Sequence, residues 1–219
     1  MSLSNSINSP KHTQTHHKPL VLASQSPRRR ELLAQLGLAC YTLPVEIDES
    51  HHGHESPAEL VARLAQEKAQ AAAQQCSPEW THLPILGADT LGEQNGELLV
   101  KPQDYEDAFR MLSAMSGQWH TIYSSVALYN PNTTSSQVLV NESRVKFRQI
   151  SHADIHHYWQ TGEPHDKAGA YAIQGLGAVF VERLEGSYSA VMGLALAETH
   201  QLLQQVGIHC LAAHANRQI

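Results

Sequence analysis

The stretch Leu20-Val21-Leu22-Ala23-Ser24-Gln25-Ser26-Pro27-Arg28-Arg29-Arg30-Glu31-Leu32-Leu33 passes from an apolar run through a polar turn into a helical pattern. Four consecutive apolar residues read as a short buried strand, and residues 28–35, closed by Gly37, read as a helix. Ser26 stands where a cap for that helix would sit, and Pro27 suits its first turn. A helix that begins directly after a strand leaves free N–H groups at the end of a sheet, where they favour an anion. Arg28, Arg29 and Arg30 add planar guanidinium groups that reach phosphate oxygens through two donors at once. The hydroxyls of Ser24 and Ser26 belong to the same turn. This stretch predicts the strand–turn–helix unit of an α/β fold, with a phosphate site at its turn.

The rest of the chain extends that pattern. Residues 57–75 read as a second helix, with Leu60, Val61, Leu64 and Ala65 on one face and Ser56-Pro57 at its start. Residues 83–87 form a short apolar strand, and 104–115 an amphipathic helix ended by Gly117. Residues 121–129 and 137–147 read as neighbouring strands joined by the turn-rich segment 130–136. A helix over 151–160 precedes a turn at Gly162-Glu163-Pro164; a strand follows over 178–183, then a long helix over 191–206 interrupted near its start by Gly193. Strands alternate with helices in the first half and lie adjacent in the second. That order predicts an α/β fold with a mixed, twisted β-sheet flanked by helices. No repeat or linker divides it, so the expected organisation is a disordered polar tail over 1–18, one domain over 19–211, and a short tail over 212–219.

A chain of 219 residues that is 42% hydrophobic can bury a full core and is not wholly disordered. Its formal charge of −6 argues against broad nucleic-acid binding. A local anion site remains open, because Arg28, Arg29, Arg30, Lys68, Lys101 and Lys167 can converge. Cys40, Cys76 and Cys210 are widely spaced, form no metal motif, and read as reduced thiols of a cytosolic protein. Residues 1–18 lack the apolar core of a secretory signal, and no stretch is long and apolar enough to span a bilayer. His51, His52 and His54 offer metal donors, but an exposed polar loop is the preferred reading.

The chemistry concentrates after the first half of the sheet. Asp89 falls just past the 83–87 strand, where ligands collect in open α/β sheets. A carboxylate there can deprotonate water or hold a divalent cation; the alternative is an Asp-Thr turn capping a following helix. Lys101, before Pro102, lies on a constrained loop, although alone it reads as a surface lysine. In Asp166-Lys167-Ala168-Gly169-Ala170-Tyr171, small residues beside a charged pair allow close backbone approach to a ligand, with a salt-bridged turn as the alternative. Glu46, Asp48 and Glu49 form an acidic loop able to supply an oxygen ligand to Mg2+ or Mn2+. The glycine-rich pieces lack P-loop spacing, and no nucleophile elbow or zinc-protease pair occurs. These features point to an enzyme acting on a phosphorylated metabolite.

Several segments then fall into one order: Ala23-Ser24-Gln25-Ser26-Pro27-Arg28-Arg29, Glu67-Lys68-Ala69, Gly87-Ala88-Asp89-Thr90, Lys101-Pro102, and Leu112-Ser113-Ala114-Met115-Ser116-Gly117 with His120. Asp166-Lys167-Ala168-Gly169-Ala170-Tyr171-Ala172-Ile173-Gln174-Gly175 and Gly186-Ser187-Tyr188 complete the set. In this order, over about residues 20–210, the chain resembles the Maf family of nucleoside triphosphate pyrophosphatases. The resemblance implies the Maf / inosine triphosphate pyrophosphatase-like fold, hydrolysis between the α and β phosphates, Mg2+ or Mn2+, a cytoplasmic location and a homodimer. It implies Asp89 as proton acceptor, and Ser24, Arg29, Glu49, Lys68 and Lys101 as phosphate- and metal-site residues. Lys167 lies near that site, the Ser26 hydroxyl adds a phosphate donor, and Glu49 with Asp89 would hold the metal.

Base selection carries over to Arg28, Thr90 and Gln174. The form Ala172-Ile173-Gln174-Gly175 resembles the branch acting on dTTP and UTP, and a glutamine amide can pair with the O4/N3 edge of thymine or uracil. Modified pyrimidine triphosphates or CTP are the nearer alternative substrates. The family is also linked with arrested cell division, so a nucleotide-sensing or septum-inhibiting protein without turnover is the alternative in kind. Three departures stand out. Leu91-Gly92 replaces the usual β-branched pair and is expected to loosen a loop beside Asp89. Ser124 replaces a threonine, and Ala195 replaces a helix-entry proline.

Overall fold

The computed structural model describes residues 19–211, so the expected tails at 1–18 and 212–219 lie outside the described residues. Strands β1 (Leu20–Ala23), β2 (Cys40–Thr42), β3 (Ile85–Gln94), β4 (Glu97–Leu99), β5 (Trp119–Asn130), β6 (Ser135–Phe147) and β7 (Val181–Glu185) build one sheet. Its order is β2-β1-β3-β5-β6-β7, with β4 paired to the outer half of β3. β1 runs parallel to β2 and β3, whereas β3, β5, β6 and β7 are successively antiparallel. The sheet is therefore mixed, as expected. All four residues of β1 are buried, which explains why its sequence is a continuous apolar run and not an alternation.

The helices are α1 (Pro27–Gln35), α2 (Pro57–Gln75), α3 (Tyr105–Met115), α4 (His152–Gln160), α5 (Tyr188–Met192) and α6 (Leu196–Gln204). Successive β1 residues serve opposite faces. Leu20 and Leu22 pack with Leu32 and Leu33 of α1 and Leu202 and Leu203 of α6, whereas Val21 and Ala23 pack with Ala72 of α2. Each fully buried aliphatic side chain of this kind contributes roughly 1.5–3 kcal/mol of transfer free energy. Helix α2 opens with a capping box between Ser56 and Glu59 and has Pro57 in its first turn. A third cluster joins Leu112 and Met115 of α3 and Ile155 and Tyr158 of α4 to Phe147 and Phe180.

Five expectations are corrected. The strand expected at 83–87 is Ile85–Gln94, so Asp89 lies within β3 and caps no helix. Pairing of β3 with β5 through Glu93, and the Asn95-Gly96 turn into β4, carry the strand through its polar half. Leu91-Gly92 is accordingly strand and not loop; a Cβ at Gly92 would lie 2.8 Å from Leu99 Cδ1 and 3.2 Å from Ile122 Cδ1. The strand expected at 178–183 is Val181–Glu185, preceded by a 3-10 turn over Leu176–Phe180. The helix expected over 191–206 with an interruption at Gly193 is parted there, at φ 124°, into α5, which starts earlier at Tyr188, and α6, which ends at Gln204. Finally, Ser26 holds the cap position of α1 without a side-chain cap bond; its N–H donates to Ser24 Oγ at 3.1 Å.

Candidate active site

The turn between β1 and α1 is ordered around Ser24, a buried residue just past the strand. Arg29 folds back from the first turn of α1, donating through Nη1 to Ser24 Oγ at 3.1 Å and through Nε to the Gly193 carbonyl at 2.8 Å. Burial pulls the guanidinium below its ordinary pKa, and the nearby Asp89 carboxylate opposes that shift. Arg29 is thus a desolvated cation fixed by its own hydrogen bonds, with donor capacity toward the cleft.

Across this turn, α2 brings Lys68 over β3. Its ammonium lies 2.7 Å from Asp89 Oδ1 and 2.6 Å from Glu49 Oε1. Lys68 and Asp89 side chains are 12% and 13% exposed, whereas that of Glu49 is 59% exposed, so the pair is largely buried and Glu49 is its solvent-facing partner. The segment following Glu49 is fastened by Arg63 of α2, which pairs with Glu55 at 2.6 Å and donates to the Ser50 carbonyl at 2.8 Å. His51, His52 and His54 are exposed, and the His51 ring contacts the Glu55 carbonyl at 2.8 Å. Ser24, Ser26, Arg29, Glu49, Lys68 and Lys101 line a cleft of about 340 Å³.

A second, smaller cavity of about 110 Å³ adjoins the same end of α1; Arg28, Thr90, Ile122, Lys167, Tyr171 and Gln174 are among its lining residues. Successive residues of β3 divide the work, Asp89 facing Lys68 and Thr90 facing Ser124, with 3.1 Å between the two hydroxyls. The serine at 124 thereby keeps the hydroxyl that the family threonine would supply. Lys167 also pairs with Asp166, so the salt-bridged turn and the cavity wall are one feature. The Gly169 N–H donates to the Val100 carbonyl at 2.9 Å, bracing the segment that carries Lys101. Behind Tyr171, buried His120 meets its hydroxyl through Nε2 at 2.8 Å, and burial pushes the imidazole down to about 4.

The structure thus gathers the expected residues into two adjoining compartments. One holds Ser24, Ser26, Arg29, Glu49, Lys68 and Lys101, with Asp89 contacting Lys68, and the other holds Arg28, Thr90, Lys167 and Gln174. Sequence reasoning did not single out Arg63, nor the Gly193 carbonyl that anchors Arg29. The signal for Arg63 was its i,i+4 relation to Glu67 on α2; a backbone acceptor 164 residues from its donor leaves none.

The model of the family described as Maf-like protein matches residues 19–206. The chain belongs to the Maf family. A relative from Saccharophagus degradans named dTTP/UTP pyrophosphatase is 48% identical over 198 residues, covering 87% of this chain and 93% of that protein. A protein of the same name from Yersinia pestis is 50% identical over 184 residues, covering 84% and 91%. A third, from Hahella chejuensis, is 48% identical over 189 residues, covering 86% and 92%.

The Maf resemblance implies a divalent cation, and the donor set can be weighed against it. Among the described residues no group of three or more His, Cys, Asp or Glu side chains converges. Glu49 and Asp89 nevertheless meet at a single ammonium, which places two hard oxygen donors at the cleft. Mg2+ is commonly held by one or two carboxylates together with waters and substrate phosphates, so this set fits. Among the described residues no helix is long and apolar enough to cross a membrane.

Proposed function

We propose that this Maf protein hydrolyses dTTP and UTP between the α and β phosphates, releasing the nucleoside monophosphate and pyrophosphate. The observation that carries the reading is the convergence of Arg29, Lys68 and Lys101 with Asp89 and Glu49 beside a cavity walled by Gln174. The printed names of the relatives supply the substrate.

In this reading Ser24, Ser26, Arg29, Lys68, Lys101 and Lys167 hold the triphosphate and offset its charge. Phosphoryl chemistry of this kind needs positioning and charge stabilisation more than a covalent protein intermediate. Asp89 accepts a proton from the water that attacks the α phosphorus, and pyrophosphate leaves in line. Lys68, bridging Asp89 and Glu49, orients that carboxylate before substrate arrives. Glu49 and Asp89 would hold Mg2+ or Mn2+, which when bound supplies further charge stabilisation on the phosphate oxygens. Arg28, Thr90 and Gln174 select the base, the amide of Gln174 offering a donor and an acceptor to the O4/N3 edge. A homodimer, checked by light scattering on the purified protein, belongs to the same proposal.

The test is hydrolysis of UTP in water enriched in heavy oxygen, with mass analysis of both products. Label in UMP supports attack at the α phosphorus. Label in pyrophosphate, or release of UDP and phosphate, contradicts it.

A further inference from the structure

Residues 171–174 wall the smaller cavity, and the chain then turns away through Gly175, Leu176 and Gly177. One carboxylate holds that turn. Glu163 Oε1 accepts from the Tyr158 hydroxyl at 2.7 Å and from the Gly177 N–H at 2.9 Å, while Oε2 accepts from the Leu176 N–H at 2.9 Å. The Tyr158 hydroxyl in turn accepts from the Ala172 N–H at 3.1 Å. The wall is therefore fastened on both sides of Gln174, at Ala172 through Tyr158 and at Leu176 and Gly177 through Glu163.

The surrounding structure fits this latch. A Cβ at Gly175 would lie 2.6 Å from Glu163 Oε1 and nearer still to Oε2, so the chain runs against the carboxylate where a side chain has no room. Gly162, with φ 77°, starts the 3-10 turn that presents Glu163. Tyr158 is buried in α4 and packs edge-on against Phe180 with ring centroids 5.1 Å apart. Burial alone would raise the Glu163 pKa, but its three donors and the charge of Lys167 together outweigh burial and hold it below the usual carboxylate value.

We propose that Glu163 is a positioning residue for base selection: through this turn it fixes the backbone that presents Gln174, although it lines neither cavity. This rests on the dTTP/UTP reading above. The role requires a carboxylate and not merely a polar side chain. Both oxygens accept hydrogen bonds, so in Glu163→Gln the amide NH2 must face at least one of the three donors. An aspartate is one methylene too short to reach all three.

The test compares the full-length protein with Glu163→Gln and Tyr158→Phe, using two readouts. The first is amide hydrogen exchange over residues 172–177 without nucleotide, which needs no turnover. The second is kcat/KM for UTP and for CTP, with pyrophosphate inhibition as a probe of the phosphate compartment. In Glu163→Gln whichever of the Leu176 and Gly177 amides faces the new NH2 is expected to exchange about ten-fold faster, corresponding to one lost hydrogen bond. The preference for UTP over CTP is expected to fall by about ten-fold, mainly through KM for UTP, with pyrophosphate inhibition unchanged. Tyr158→Phe shifts both readouts in the same direction and by less, and it decides alone if Glu163→Gln does not fold. Unchanged exchange, or faster exchange with an unchanged UTP-to-CTP ratio, overturns the proposal. So does an equal loss on both nucleotides, which would mark a merely structural role. A wild-type protein that turns over no triphosphate refutes the functional reading, and this inference falls with it.

Discussion

Gly87→Ala tests whether packing of α2 on β3 builds the site. Gly87 lies two residues before Asp89 and faces α2. A Cβ there would sit 2.8 Å from the Ala69 backbone nitrogen, 3.1 Å from Ala69 Cβ, and closer still to the Ala65 carbonyl oxygen. None of these atoms can rotate away. To restore ordinary contact, α2 must withdraw from the strand by about 1 Å, an overpacking strain that costs roughly 3 kcal/mol, at the upper end for such insertions. For a domain of this size that lowers Tm by roughly 6–12 °C. Lys68 adjoins Ala69, and its 2.7 Å contact with Asp89 does not survive such a shift. Misplacement on that scale lowers kcat/KM by about 100-fold. The assays are thermal unfolding by circular dichroism and pyrophosphate release from UTP. Wild-type Tm refutes the packing argument, whereas a lowered Tm with wild-type kcat/KM refutes its link to Lys68 and Asp89.

Asp89→Asn removes the proposed proton acceptor and is expected to lower kcat by roughly 10²–10⁴-fold. Lys68 keeps Glu49 as a partner, so the fold should survive, and near-normal turnover would contradict the role. Gln174→Ala should lower turnover of UTP and dTTP more than that of CTP or GTP; an equal loss on all four contradicts base selection. His120 is held neutral by burial, at about 4 against an ordinary 6.5, so the unfolded chain takes up its proton first as pH falls. Its contribution is complete above pH 6.5 and is lost toward pH 4, amounting to about 3 kcal/mol. Urea unfolding should show the wild type losing that much more than His120→Gln across the window, and parallel losses would refute it.

The turn between β1 and α1 was legible because its cues are local: an apolar run buried on both faces, then hydroxyls, a proline and arginines within ten residues. The start of α2 was legible for the same reason, marked by Ser56-Pro57. The outer half of β3 was not, because Asp89, Thr90 and Glu93 interrupt the apolar pattern and only pairing with β5 extends the strand. Strand β2 has three residues and exists through its pairing with β1. Gly193 marked the break between α5 and α6, but the start of α5 at Tyr188 was not legible, because Gly186-Ser187 reads as a turn with no apolar pattern to mark a helix start. The charged residues of the site could be carried over by motif. The ties that hold them, Arg29 to the Gly193 carbonyl, Arg63 to the Ser50 carbonyl and Glu163 to the Leu176 and Gly177 amides, run to backbone groups that no local pattern announces.

Product analysis of the purified protein with dTTP, UTP, CTP, GTP and methylated GTP, each with and without Mg2+ or Mn2+, puts reaction and specificity to one trial. The account predicts metal-dependent dTMP and UMP, each with one equivalent of pyrophosphate, and slower turnover of the other three. Tight binding of dTTP and UTP without metal-dependent product, or preferential cleavage of methylated GTP, would contradict it.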